Sequence, residues 1–145
     1  MQTDRMTKAI RILLVEDNLG DVRLAEEAFL QHRLDVVGDG EEAMALLHRI
    51  GKYAQFPNPD LILLDLNLPR KDGRQVLAEI KADASLRSIP VIVLTSSQAE
   101  KDVSTVYNLH GNCYINKPAD FDEFLTVASS IERFWLEIVR LPAKA

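Results

Sequence analysis

The stretch LILLDLNLP, residues 61–69, gives the first indication of the architecture. Its first four residues are all apolar, and a short continuous apolar run is typical of a strand covered on both faces, as in a parallel sheet. The run ends in an aspartate, Asp65. A carboxylate at the edge of a hydrophobic core is unfavourable unless a cation or a hydrogen-bond donor pairs with it, so Asp65 is a candidate functional residue.

Similar apolar runs and several helical patterns surround this stretch. The other runs lie at residues 10–15, 34–37, 91–94 and 112–115. Helices are expected at residues 21–31, 41–49, 73–81 and 99–109. The alternation of strand and helix predicts an α/β fold, a doubly wound five-stranded parallel sheet with right-handed crossovers. Ligands of such sheets bind at the carboxyl ends of the strands.

Polar residues gather at those predicted strand ends. They are Glu16 and Asp17 after the first strand, Asp65 after the third, Thr95 after the fourth and Lys117 after the fifth. Three carboxylates at one edge repel one another and destabilise the fold unless a cation lies among them. Because the pattern offers oxygen ligands and few carboxylates, it favours Mg2+ over an all-protein Ca2+ cage.

The composition excludes several classes of protein. A net charge of -5 and a pI of about 5.2 argue against a nucleic-acid partner. Cys113 is the only cysteine, so neither an internal disulfide nor a thiolate metal cluster is expected, and the three histidines, expected at surface or boundary positions, are not spaced as metal ligands. The apolar runs are too short for a membrane span, and the N-terminus lacks the apolar core of a signal peptide. We therefore expect a cytoplasmic protein without a membrane partner.

Four motifs, in this order, carry a resemblance to a known family: VEDN, LLDLNLPRKDG, VLTSS and INKP. Together they resemble the receiver domain of two-component response regulators over residues 10–139. The resemblance implies the strand order 2-1-3-4-5 and a Mg2+-dependent transfer of a phosphoryl group from a histidine kinase to Asp65. It further implies that Asp17, Asp65 and the backbone carbonyl of Asn67 bind Mg2+, with Glu16 assisting through water.

The same resemblance assigns the remaining pocket residues. Thr95 would bond the phosphoryl group, Lys117 would pair with it, and Tyr114 would be the switch aromatic that follows Thr95. The peptide bond between Lys117 and Pro118 would be cis. These roles agree with the chemistry of phosphoryl transfer, in which positioning the nucleophile and neutralising the equatorial oxygens supply most of the rate. The expected protein is a phosphoacceptor in signalling rather than an enzyme, apart from self-catalysed phosphorylation and dephosphorylation.

The C-terminal segment predicts a long helix at about residues 120–139, capped by Asp120. At roughly 28 Å it would overhang strands of roughly 17 Å. Its last turns carry an apolar group, expected to bind a second copy of the chain: Phe134, Trp135, Ile138, Val139 and Leu141. The homodimer would also use the face of the fourth strand, fourth helix, fifth strand and last helix. Alternatively, half of this group completes the core stripe of the helix, with Trp135 as its last member.

The expected domain layout is a flexible segment at residues 1–9 and a receiver domain at residues 10–141, with no output domain. The C-terminal segment and residues 58–73 also resemble the small response regulators paired with bacterial and cyanobacterial phytochromes. That resemblance implies a phytochrome-type histidine kinase, such as a bacteriophytochrome, as the phosphodonor.

Two other functions use a similar fold. A phosphatase of the haloacid dehalogenase type also has a strand-end aspartate and Mg2+, but it needs a second carboxylate where this chain has Asn67. A flavodoxin-like flavin-binding protein needs a phosphate loop after the first strand, where this chain has the acidic run EDNLGD, residues 16–21.

Overall fold

The computed structural model describes residues 9–118 and 120–143. Residues 1–8 of the predicted N-terminal segment lie outside that part. The described chain alternates strands and helices: β1 (Arg11–Val15), α1 (Leu19–Ala28), β2 (Arg33–Val37), α2 (Gly40–Leu47), β3 (Leu61–Leu64), α3 (Gly73–Ala82), β4 (Val91–Thr95), α4 (Glu100–Asn108), β5 (Cys113–Asn116) and α5 (Phe121–Ile131). A short 3-10 helix, Gly51–Tyr53, precedes β3. All strands pair in parallel in the order β2-β1-β3-β4-β5, which confirms the predicted doubly wound fold.

The continuous apolar strands are buried on both faces, as their sequences predict. Successive side chains of a strand point to opposite faces, so β3 contributes Ile62 and Leu64 to one core and Leu61 and Leu63 to the other. The first core packs against α2, α3 and α4, and the second against α1 and α5. The sheet is therefore a central layer between two cores, and its parallel strands end at one edge.

The first helix ends at Ala28, before the predicted end at residue 31. Arg33 must already pair with Arg11 in the sheet, so the chain turns at Phe29, which is buried. His32 follows in this turn and lies buried rather than at the surface or boundary. Its Nδ1 accepts the Ile10 N–H at 3.2 Å, and its Nε2 lies 3.0 Å from Glu132 Oε2.

The long C-terminal helix is present but changes its winding. The α-helical part ends at Ile131, and Glu132–Ile138 continues as a π-helix, in which Val139 N–H donates to the Phe134 carbonyl. Within the part of the chain that the structure describes, no helix has both the length and the apolarity that crossing a membrane requires.

Candidate functional site

Three carboxylates meet where β1 and β3 end. One carboxylate oxygen from each of Glu16, Asp17 and Asp65 lies within 4.8 Å of the others. The sheet sets this position, because the Glu16 N–H donates to the Val37 carbonyl and the Asp65 N–H donates to the Val15 carbonyl. Glu16 and Asp65 are buried, whereas Asp17 is exposed. The cluster thus combines two buried carboxylates with one that is open to solvent, and its all-oxygen donor set fits a hard divalent cation.

Lys117 supplies the positive charge of this cluster. Its Nζ lies 2.6 Å from Glu16 Oε1, 2.8 Å from Asp21 Oδ2 and 3.2 Å from Asp65 Oδ2. The Lys117 N–H donates to the Thr95 carbonyl, which continues the pairing of β5 with β4 and directs the side chain over the strand ends. Asp21 was not among the predicted pocket residues, although it lies in the same acidic run as Glu16 and Asp17.

The peptide bond before Pro118 is trans, so the cis bond implied by the resemblance is wrong here. Trans is the lower-energy isomer of a bond to proline, by about 0.5–1 kcal/mol. The Lys117 side chain reaches Glu16, Asp21 and Asp65 from the trans backbone.

The charges of the pocket shift two pKa values. Burial raises the pKa of Glu16 to about 7, and repulsion by Asp65 adds to this effect, while the hydrogen bond and the charge of Lys117 oppose it. Burial also disfavours the charged form of Lys117, but its hydrogen bonds with Asp21 and Glu16 and the charges of Glu16 and Asp65 raise its pKa above the ordinary value. The lysine is therefore an ammonium at neutral pH, and the anionic cluster holds more negative charge than this one cation neutralises.

A hydrogen-bonded loop connects the pocket to Tyr114. Thr95 is fully buried, and its hydroxyl accepts the Ser97 N–H at 3.4 Å. The Ser97 carbonyl accepts hydrogen bonds from the Tyr114 hydroxyl at 2.8 Å and from Asn116 Nδ2 at 2.6 Å. The Tyr114 hydroxyl is thus bound to the loop after β4, rather than being a solvent-bonded group at the strand edge.

An ionic network that was not predicted from the sequence connects the loop after β4 to α3. Asp102 accepts a hydrogen bond from the Ser97 hydroxyl and pairs with Arg74, whose Nη2 lies 2.8 Å from Asp102 Oδ1. Arg74 also pairs with Asp72, the N-cap of α3. No local pattern predicts the pair of Arg74 and Asp102, because these residues are 28 positions apart and meet through helix packing.

Gly73 lets α3 begin directly behind the phosphoacceptor candidate. A Cβ at this position would lie 2.2 Å from the Asp65 carbonyl oxygen and 2.6 Å from Leu66 Cα. The Gly73 N–H donates to the Leu66 carbonyl at 2.9 Å. The backbone of Asp65 is therefore held by a contact that only glycine permits.

The apolar residues of the C-terminal helix divide into two groups. Trp135 packs partly buried against the core, whereas Phe134 and Ile138 are 50% and 62% exposed. Val139 and Leu141 are half-buried. The Phe134 and Trp135 rings meet edge to face with centroids 5.5 Å apart. With Cys113, Ile115, Thr126, Val127, Ser130 and Ile131 they line a shallow, mainly apolar groove between α5 and β5.

Comparisons with known proteins agree with this architecture. The family described as a response regulator receiver domain matches residues 12–129. The chain is 51% identical over 136 residues to response regulator Rcp1 of Synechocystis sp., covering 91% of this chain and 92% of Rcp1.

Two solved structures extend the comparison. The crystal structure of the phosphorylated cyanobacterial phytochrome response regulator RcpA is 50% identical, with a TM-score of 0.91 over 94% of this chain and 100% of that one. The Mn(2+)-bound form of Rcp1 is 50% identical, with a TM-score of 0.89, and the match covers 92% of this chain and 99% of that one. These matches do not favour the dehalogenase-like or flavodoxin-like alternatives.

Proposed function

Because this chain belongs to the response regulator receiver domain family, we propose that Asp65 accepts a phosphoryl group from a histidine kinase. We further propose that phosphorylation of Asp65 switches the binding of a partner protein. A receiver domain implies a histidine kinase as its partner. The observation that supports Asp65 most strongly is its place at the end of β3, buried, 3.2 Å from the Lys117 ammonium and beside Glu16 and Asp17.

The proposed reaction is an in-line displacement at phosphorus. An oxygen of Asp65 attacks the phosphoryl group of a phosphohistidine, the bond from phosphorus to the histidine nitrogen breaks, and the electron pair leaves on that nitrogen. Lys117 neutralises charge on the transferred oxygens, and the Thr95 hydroxyl is the proposed hydrogen-bond donor to one of them. Self-catalysed loss of the phosphoryl group to water completes the cycle.

Receiver domains bind a divalent metal ion at an acidic pocket, and this chain has such a cluster. We propose Mg2+ as the ion, held by Asp17, Asp65 and the Asn67 carbonyl, with Glu16 acting through water. The Asn67 N–H donates to Asp65 Oδ1 at 3.3 Å, so this loop lies against the carboxylate. A bound Mg2+ would neutralise the phosphoryl oxygens during transfer. The Mn(2+)-bound form of the relative Rcp1 supports the binding of a divalent metal by this chain.

The proposed switch is the loop after β4. A phosphoryl group on Asp65 offers new acceptor oxygens to Thr95, and the Thr95 hydroxyl already contacts the Ser97 N–H. Tyr114 is bonded to the Ser97 carbonyl, so a movement of this loop changes the surface of β4, α4, β5 and α5.

The proposed phosphodonor is a phytochrome-type kinase, such as a bacteriophytochrome. The support is similarity to Rcp1 and to RcpA, which is described as a cyanobacterial phytochrome response regulator. Histidine kinases draw the phosphoryl group from ATP, so the cytoplasm is the proposed location. Residues 10–141 are the proposed receiver domain.

A symmetric homodimer is the proposed assembly, formed through the β4, α4, β5 and α5 face and the end of the C-terminal helix. The support is the exposure of Phe134 and Ile138 beside Trp135, Val139 and Leu141. Changing Phe134 and Ile138 to serine should shift sedimentation toward the monomer, while Ile50→Ala, an equally exposed apolar residue elsewhere, should not. Equal sedimentation of both variants and the wild type would reject this interface.

The test of the function is phosphorylation by acetyl phosphate with Mg2+, followed by intact-protein mass spectrometry. The wild type should gain one phosphoryl group that hydroxylamine removes, as expected for an acylphosphate. Asp65→Asn should gain none, whereas Asp122→Asn, an exposed aspartate on α5, should react like the wild type. Equal labelling of Asp65→Asn and the wild type would reject Asp65 as the acceptor.

A further inference from the structure

The Lys117 ammonium has three N–H donors, and its Nζ lies within 3.2 Å of an oxygen from each of three carboxylates. Two of these partners, Glu16 and Asp65, belong to the cluster proposed to hold the metal ion and the phosphoryl group. The third, Asp21, does not belong to that cluster, and its Oδ2 lies 2.8 Å from Lys117 Nζ. The Lys117 side chain is 10% exposed and the Asp21 side chain 28%, so the pair is largely shielded from water.

Asp21 is itself held in place. It lies in the first turn of α1, and its N–H donates to Oδ1 of Asn18, the N-cap, at 2.9 Å. The N-terminus of a helix attracts negative charge, and this attraction helps to hold the side chain at that position. The ion pair thus connects the start of α1 to the end of β5 across a separation of 96 residues.

Phosphorylation would alter both other partners of Lys117. Asp65 would become an acylphosphate, and Glu16 would assist in holding the metal ion through water. Asp21 alone would be unchanged by the reaction. We propose, on the basis of the function proposed above, that Asp21 is a positioning residue that keeps the Lys117 ammonium above Asp65 before and after phosphoryl transfer.

This role has a consequence for metal binding. With Asp21 present, part of the attraction on the ammonium comes from a carboxylate that the metal does not need. Without it, Lys117 keeps only Glu16 and Asp65 as partners and competes more strongly with the metal for them. Asp21→Asn should therefore weaken Mg2+ binding to the unphosphorylated protein and slow phosphorylation, each by roughly fivefold, in keeping with one partly shielded charged hydrogen bond.

The experiment is a double-mutant cycle of Asp21→Asn with Lys117→Met. The first readout is the Mg2+ dissociation constant of the unphosphorylated protein by calorimetry, and the second is the phosphorylation rate with acetyl phosphate. In the Lys117→Met background, Asp21→Asn should have no further effect on the Mg2+ dissociation constant. A persistent fivefold weakening in that background would mean that Asp21 acts only through its general negative charge, and would overturn the proposal.

Two further variants complete the test. Glu26→Gln removes the same charge from an exposed position of α1 and should bind Mg2+ like the wild type. Asp21→Glu keeps the carboxylate and should retain Mg2+ binding within about twofold, since the ion pair can re-form. A weakening by Asp21→Glu equal to that of Asp21→Asn would also overturn the proposal. If the wild type is not labelled on Asp65, the proposed function fails; if it is labelled but the cycle shows no coupling, only the role of Asp21 fails.

Discussion

Replacing Asp65 by asparagine should stabilise the metal-free protein, although it abolishes the proposed reaction. At an effective dielectric constant of about 20, repulsion between Asp65 and Glu16 within 4.8 Å is at least about 3.5 kcal/mol, and attraction to Lys117 at 3.2 Å is about 5 kcal/mol. Asp17 adds a repulsion that solvent screens, because this residue is exposed. Attraction and repulsion therefore nearly cancel.

The desolvation of the buried Asp65 carboxylate then decides the sign. Burying an ion costs several kcal/mol, and the neutral amide of the same shape avoids much of that cost. We expect Asp65→Asn to raise the free energy of unfolding by about 2 kcal/mol in EDTA, measured by urea denaturation at pH 8, where Glu16 is charged. Asp122→Asn, at the exposed first turn of α5, should instead lower it slightly.

Mg2+ should make the wild type more stable than Asp65→Asn, which reverses their order in EDTA. A ligand at about 100 times its dissociation constant adds about 2.7 kcal/mol to the stability of the protein that binds it, and Asp65→Asn has lost one ligand. The wild type should therefore gain more from Mg2+ than the variant does. A less stable Asp65→Asn in EDTA, or an equal gain from Mg2+ in both proteins, would refute this account of the cluster.

Three further predictions concern neighbouring residues. The pKa of Glu16 is about 7 in the folded protein and 4.5 in the unfolded chain, so between these pH values the folded state binds more protons than the unfolded state. In EDTA the wild type should therefore lose stability as the pH rises from 4.5 to 7. Glu16→Gln should flatten this decline in urea titrations; an identical slope in both proteins would contradict the burial argument. Gly73→Ala should lower the free energy of unfolding by roughly 1–3 kcal/mol and impair phosphorylation, because the added Cβ meets the Asp65 carbonyl. A melting temperature equal to that of the wild type would show that α3 can shift to accommodate the methyl group. Tyr114→Phe should lower the free energy of unfolding by about 1 kcal/mol through loss of the bond to the Ser97 carbonyl, whereas unchanged stability would mean that Asn116 alone holds that carbonyl.

Much of the fold could be predicted because the signals are local. The run at residues 61–64 is apolar throughout, and its strand has the predicted bounds. The residue at which α1 ends could not be predicted in the same way, since it depends on Arg33 pairing with Arg11 and on the burial of His32 against Glu132. Such constraints join residues up to 100 positions apart, and no local pattern records them.

The candidate site also has features that are predictable from local sequence and features that depend on helix packing. The sequence by itself determined that Glu16, Asp17, Asp65, Thr95 and Lys117 would converge, because parallel strands bring their carboxyl ends to one edge whatever the details of the helices. Only the tertiary structure decided which carboxylates share the Lys117 ammonium, and how Arg74 and Asp102 hold the loop that reaches Tyr114. The reason is geometric: strand order places backbones, whereas an ion pair needs two side chains within about 4 Å, and that distance is set by how the helices pack on the sheet.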